Sequence, residues 1–136
     1  MIVIQEEDFS LDEVTAALRR PGVGAIVTFT GLVRAIGREG EPVQCIEWYV
    51  YEAMARKEFE TIRAEAIQRF QLVDAAIVHR CGRQTPGETL VLIAAASPHR
   101  KEAFRACEYI MDEIKKRAPL WKKEIHAGGS SCWIQG

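Results

Sequence analysis

Apolar and polar positions change period several times along the chain, and each change marks an element. IVIQ, 2–5, is a short β-rich run. Ser10-Leu11-Asp12-Glu13 has the S-x-x-E form of a capping box, so a helix is expected from there to about Arg19, stopped by Pro21 and Gly22. VGAIVTFTGLVR, 23–34, is rich in β-branched residues and reads as a long strand. AIGREGEP, 35–42, reads as a mobile loop, and VQCIEWYVYE, 43–52, alternates as a strand does. Met54, Phe59, Ile62, Ala66 and Ile67 recur with helical spacing over 53–70.

DAAIVHR, 74–80, is a further strand, and Thr85-Pro86-Gly87-Glu88 is a turn by its chemistry. TLVLIAAAS, 89–97, has the continuous apolar character of a strand buried on both faces. A second long helix is predicted from Pro98 to about Arg117, with Ser97 as its N-cap and Ala103, Cys107, Ile110 and Ile114 on one face. Pro119 ends it, and LWKKEIHAG and CWIQ give two short β pieces around Gly128 and Gly129. The order is β-α-β-β-α-β-β-α-β-β. Helices alternate with strand pairs, so the expected fold class is α+β, in two layers with mostly antiparallel strands. With 136 residues, no repeat and no long linker, residues 1–136 are expected to form one domain.

Composition narrows the function. Hydrophobic residues make up 48% and charged residues 27%, as in ordinary globular proteins. No apolar run reaches the roughly 18 residues of a membrane span, and MIVIQEEDFS turns acidic where a signal peptide needs a basic start. The net charge is -1, but residues 1–96 hold 10 basic and 14 acidic side chains while residues 97–136 hold 8 and 5. That is too small a surplus for nucleic-acid binding and fits a local site for a small anion. Cys45, Cys81, Cys107 and Cys132 include no close pair, which argues against a zinc site and for reduced structural thiols in the cytoplasm.

The cations concentrate in KKRAPLWKKE, 115–124, where Lys115, Lys116, Arg117, Lys122 and Lys123 face one acid, Glu124. A basic helix end complementing its own dipole accounts for the first three but not for Lys122 and Lys123 beyond the proline. A lysine packed among cations and apolar groups has its pKa lowered and can act as nucleophile, proton shuttle or anion clamp. SPHR, 97–100, puts His99 and Arg100 at a helix start, where backbone amides suit an anion. TGLVR, 30–34, places Arg34 at a strand end beside a loop. His79 and Arg80 end another strand with nothing nearby to match them. The bland alternative for each of these is a solvated or helix-decorating side chain. The GxxxxGK[ST], GxGxxG, HExxH and GxSxG signatures are absent.

TFTGLVR (28–34), HRCGRQTPGE (79–88), SPHRKEAF (97–104) and IMDEIKKRAPLWKKE (110–124), in this order, resemble the large, catalytic subunit family of molybdopterin synthase. The resemblance implies an α/β hammerhead-type fold and a sulfurtransferase reaction without metal or tightly bound cofactor. In that reaction cyclic pyranopterin monophosphate receives two dithiolene sulfurs from the C-terminal Gly-Gly thiocarboxylate of a small ubiquitin-like sulfur-carrier subunit. It also implies a heterotetramer built on a central homodimer. Residue by residue, Lys115 and Lys122 match the family's active-site lysines, with Lys115 the usual candidate for direct participation. Arg34, His99 and Arg100 match the pocket for the pterin and its phosphate. Leu32 and Val33 precede Arg34, and Lys123 and Glu124 flank Lys122 in the pocket wall.

Two features depart from the resemblance. Many relatives continue past the tryptophan matching Trp133 with a charged tail, so a cation from such a tail is expected to be missing here. Cys132 matches no family role. Two rival readings stay open on sequence alone: a non-catalytic module that docks a ubiquitin-like tail, and a small phosphate-ester enzyme built on His99 and Arg100.

Overall fold

The strand Thr89–Ser97 lies at the centre of a computed structural model that describes residues 1–135. In chain order the elements are β1 (Ile2–Gln5), α1 (Leu11–Leu18), β2 (Ala25–Leu32), β3 (Val43–Val50), α2 (Glu52–Phe70), β4 (Asp74–Arg80), β5 (Gly82–Gln84), β6 (Thr89–Ser97), α3 (Arg100–Arg117), β7 (Leu120–His126) and β8 (Ser131–Gln135). They form two four-stranded sheets, ordered β1-β4-β6-β2 and β5-β3-β7-β8. Only the β1/β4 pair is parallel, so the architecture is the expected α+β with mostly antiparallel strands.

The period of two along β4 and β6 explains how both faces are covered. Ala75, Ile77, Val91, Ile93 and Ala95 face α2 and α3, packing with Phe59, Ile62, Ile110 and Ile114. Ala76, Val78, Leu92, Ala94 and Ala96 face the other way, against Val14 and Leu18 of α1. Ile46, Trp48 and Leu120 of the second sheet join the first of these cores, which binds the two sheets together.

Several local expectations are met. Ser10 Oγ accepts from the Glu13 amide at 3.2 Å, starting α1 as a capping box should. Others are corrected. Ser97 does not cap α3: it is still paired with Ala25 in the sheet, its hydroxyl donates to the His99 carbonyl, and His99 holds the N-cap position. Pro98 favours extended backbone in the residue before it, so Ser97 stays in the strand and the helix starts at Arg100. The short β5 was not foreseen; it pairs Gly82 with Trp48 and Gln84 with Ile46. The 35–42 loop closes on itself, with Ile36 bridging Pro42 and the Gly37 amide donating to Glu41 O at 2.7 Å.

His79 and Arg80 are part of the framework. Arg80 donates to the Glu6 carbonyl at 2.9 Å and to Glu88 at 3.3 Å. His79 is fully enclosed, edge-on to Trp48 at 4.9 Å and near Phe59 at 6.2 Å. Burial pushes its pKa down to about 4, against a small opposing effect of the Arg80 carbonyl. Between pH 6.5 and about 4 the unfolded chain therefore takes up a proton that the folded chain refuses. Stability is complete above this window and falls as pH drops through it, by up to about 3 kcal/mol. Urea unfolding at a series of pH values should show this slope, and His79→Phe should flatten it; an unchanged slope in that variant assigns the effect elsewhere.

Candidate active site

Helix α3 and strand β7 bring two lysines to one end of the molecule. Lys115 sits in the last turn of α3, exposed, next to the buried Ile114. Ala118 and Pro119 break the helix, and β7 begins at Leu120. Leu120, Lys122, Glu124 and His126 share one face of that strand, because side chains alternate. Leu120, Glu124 and His126 are buried there and Lys122 is half-buried. Lys122 pairs across the sheet with Trp48, and its ammonium lies 5.7 Å from that ring's centroid.

The electrostatics mark Lys122. Burial lowers its pKa, Glu124 opposes that, and the positive charges of Arg34, Arg38 and Lys115 lower it further. Arg34 belongs to the same neighbourhood because β2 ends at Leu32 and the chain is then held to the β5–β6 turn. There the Val33 amide donates to Glu88 O and the Gly87 amide to Val33 O, both at 2.9 Å. Lys115, Lys122, Arg34 and Arg38 thus form one cationic group; Arg38 had no signal in the sequence beyond lying in a charged loop.

The other cations of the basic stretch lie apart from this group. Lys116 points to Glu113 at 3.4 Å with 71% of its side chain exposed. Arg117 donates to Glu58 at 2.7 Å, to Glu65 at 2.6 and 3.1 Å and to Glu113 at 3.3 Å, tying α3 to α2. Lys123 faces the opposite side of β7 from Lys122, over Trp133 at 5.8 Å. Trp121 shares that outer face and is 39% exposed. Of the two residues before Arg34, Val33 is buried core and Leu32 is exposed.

His99 and Arg100 are not brought to this group. They lie exposed at the start of α3, and fifteen helical steps lead from Arg100 to Lys115, roughly 22 Å at 1.5 Å per residue. Glu124 faces the same side as Lys122, hydrogen-bonded to His126 Nε2 at 2.9 Å. Two of the cysteines are unavailable as nucleophiles: Cys45 is fully buried, and burial pushes the Cys107 thiol up to about 11.

A cluster of cations around one half-buried lysine, on an α+β scaffold, has the charge to suit a small anionic ligand. The sequence profile described as MoaE protein matches residues 4–117, and the chain belongs to this family. It is 43% identical over 135 residues to the molybdopterin synthase catalytic subunit of Pyrococcus abyssi, covering 99% of this chain and 90% of that one. It is 46% identical to the protein of the same name from Ralstonia nicotianae, covering 98% and 76%. Among solved structures, molybdopterin synthase from Staphylococcus aureus superposes with a TM-score of 0.89 at 37% identity, covering 99% of this chain and 96% of that one. A complex of subunits 1 and 2 of the molybdopterin-converting factor from Helicobacter pylori has the same fold, with a TM-score of 0.78 at 22% identity over 98% and 90% of the two chains.

The lysine cluster can be tested apart from any reaction. Titrating the lysine amines by NMR after isotopic methylation should show Lys122 below the ordinary lysine range. Arg34→Met and Lys115→Met should each move it back up, since each removes a neighbouring positive charge. A Lys122 that ignores both substitutions would mean that the three groups do not share a site.

Proposed function

We propose that this chain is the catalytic half of a molybdopterin synthase, a sulfurtransferase of molybdenum cofactor biosynthesis. The observation that carries the proposal is Lys122, depressed by burial and by the cations around it, in a chain of this family. The substrate is a cyclic pyranopterin monophosphate, and sulfur arrives on the C-terminal thiocarboxylate of a small carrier subunit. Both are anions, and a cluster of Lys115, Lys122 and Arg34 holds them together. The buried Trp48 Nε1–H, which has no acceptor among the described residues, adds a donor beside Lys122. As the thiocarboxylate sulfur bonds to the pterin, and water then cleaves the acyl–sulfur bond to release the carrier's carboxylate, these groups stabilise the developing negative charge. Lys122, its pKa lowered, also supplies a proton donor and acceptor beside the reacting atoms. The four cysteines are all unbridged, which supports a reducing, cytoplasmic setting.

A homodimer reconciles His99 and Arg100 with the lysines. Strand β2 is the last in its sheet, and Phe29 on it and Phe104 on α3 are exposed. Two copies pairing antiparallel along β2 would set the start of one strand against the end of the other. Its eight residues span roughly 26 Å, comparable to the gap between Arg100 and Lys115. The phosphate then sits on the second copy's His99 and Arg100, while the pterin faces Arg34 and the lysines of the first.

Single-turnover conversion of precursor, with saturating thiocarboxylated carrier, separates the cations. Lys115→Ala and Lys122→Ala should each lose activity by two orders of magnitude or more. Lys116→Ala should stay near wild type, and Arg117→Ala should lower the melting temperature without a comparable loss of chemistry. Equal losses for Lys116→Ala and Lys115→Ala would reduce the site to a diffuse basic patch.

Mixing tests the dimer. Lys115→Ala and Arg100→Ala chains, each inactive alone, should regain activity when refolded together, because one of the two sites in a mixed dimer then carries neither substitution. No recovery, despite mixed dimers shown by mass spectrometry, would place His99 and Arg100 outside the shared site.

A further inference from the structure

We propose that Glu41, Glu124, His126 and Cys132 form a binding site for one divalent metal ion of the zinc class. Three chain segments converge on it. Glu124 and Cys132 are directly opposed in the β7/β8 pair, and His126 follows on the same face of β7. Glu41 comes from the 35–42 loop, which is stitched to β7 where Val43 pairs with His126.

The donor atoms are nearly assembled. Glu124 Oε1 lies 2.9 Å and Glu41 Oε1 3.3 Å from the same His126 Nε2. One donor atom each from Glu124, His126 and Cys132 falls within 4.8 Å of the others. Zinc bonds of about 2.0–2.3 Å place the corners of a tetrahedron roughly 3.3–3.8 Å apart, so the separations among Glu124, His126 and Cys132 are already near those an ion requires, with Glu41 next to them at His126. The backbone has made room for it. A Cβ at Gly37 would lie 2.0 Å from Glu41 Oε1 and 2.5 Å from Glu124 Oε1.

A single ring N–H satisfies one of these acceptors and leaves the other carboxylate and the sulfur facing it. A cation satisfies all of them. The ring is also held from behind, as metal-binding imidazoles are: Nδ1 lies 2.8 Å from Ser130 Oγ, leaving Nε2 to face the cluster. A thiol and an imidazole favour zinc, cobalt or nickel over magnesium and calcium, which take oxygen shells. The site is reachable, since Cys132 is exposed and these residues line a cleft of about 430 Å³ with Arg38 at its rim. The pairing was invisible in cysteine spacing because only one thiol takes part.

Such an ion would act as a clasp rather than as part of the sulfur chemistry. It would fasten the loop between Arg34 and Pro42 to the strand that carries Lys122. The test uses the intact, chelator-stripped chain and Zn²⁺ or Co²⁺ alone. Zinc titrated against a competing chromophoric chelator should bind one ion per chain and raise the melting temperature. Cobalt should give a thiolate-to-metal charge-transfer band that Cys132→Ser abolishes. Cys132→Ser and His126→Gln should each weaken zinc at least about tenfold. Circular dichroism checks that both variants are folded, and the exposed Cys132 is replaceable without disturbing the core. Absence of stoichiometric zinc, or zinc and cobalt binding unchanged in folded Cys132→Ser, overturns the site.

Discussion

Burial of β4 and β6 on both faces is the constraint on which the molecule depends. A strand covered on two sides needs small side chains wherever helices approach, and alanines at 75, 76, 94, 95 and 96 supply them. The close approach of α2 and α3 follows, and with it the direction in which α3 returns along β6. That direction delivers Lys115 to the end of the sheet where β2 releases Arg34. The same helix leaves Arg100 at the other end. The geometry of charge is thus a by-product of helix packing on an alanine-rich strand.

Within that frame, neighbouring cations have different fates. Arg117 is spent on three carboxylates that join two helices, and Lys116 is solvated. Lys122 is held against an aromatic wall with cations beside it and only a partial counter-charge from Glu124. Composition counts these residues alike. What distinguishes them is which face of an element they occupy and whether a carboxylate reaches them.

Much of this was legible in the chain. Helices with strong periodicity, the Ser10 cap and the doubly buried strand at 89–97 were readable because the information is local. Lys122 could be singled out because helix-dipole logic ends at Pro119. Three things were not readable. The three-residue β5 is too short to carry a period. Ser97 has the chemistry of a cap, but pairing with Ala25 keeps it in the sheet, a tertiary contact no local rule contains. Trp48 and Lys122 meet only because β3 pairs with β7, and Glu41 reaches His126 for the same reason.

The enclosure of Trp48 gives the molecule an optical asymmetry. Of its three tryptophans, Trp121 and Trp133 are 39% and 59% exposed, while Trp48 is 7% exposed. A water-borne quencher such as iodide reaches the two outer indoles and spares the inner one. The residual, blue-shifted emission then belongs to the single indole that lies against Lys122. Light emitted by the native chain therefore reports on the surroundings of Lys122, without any label attached.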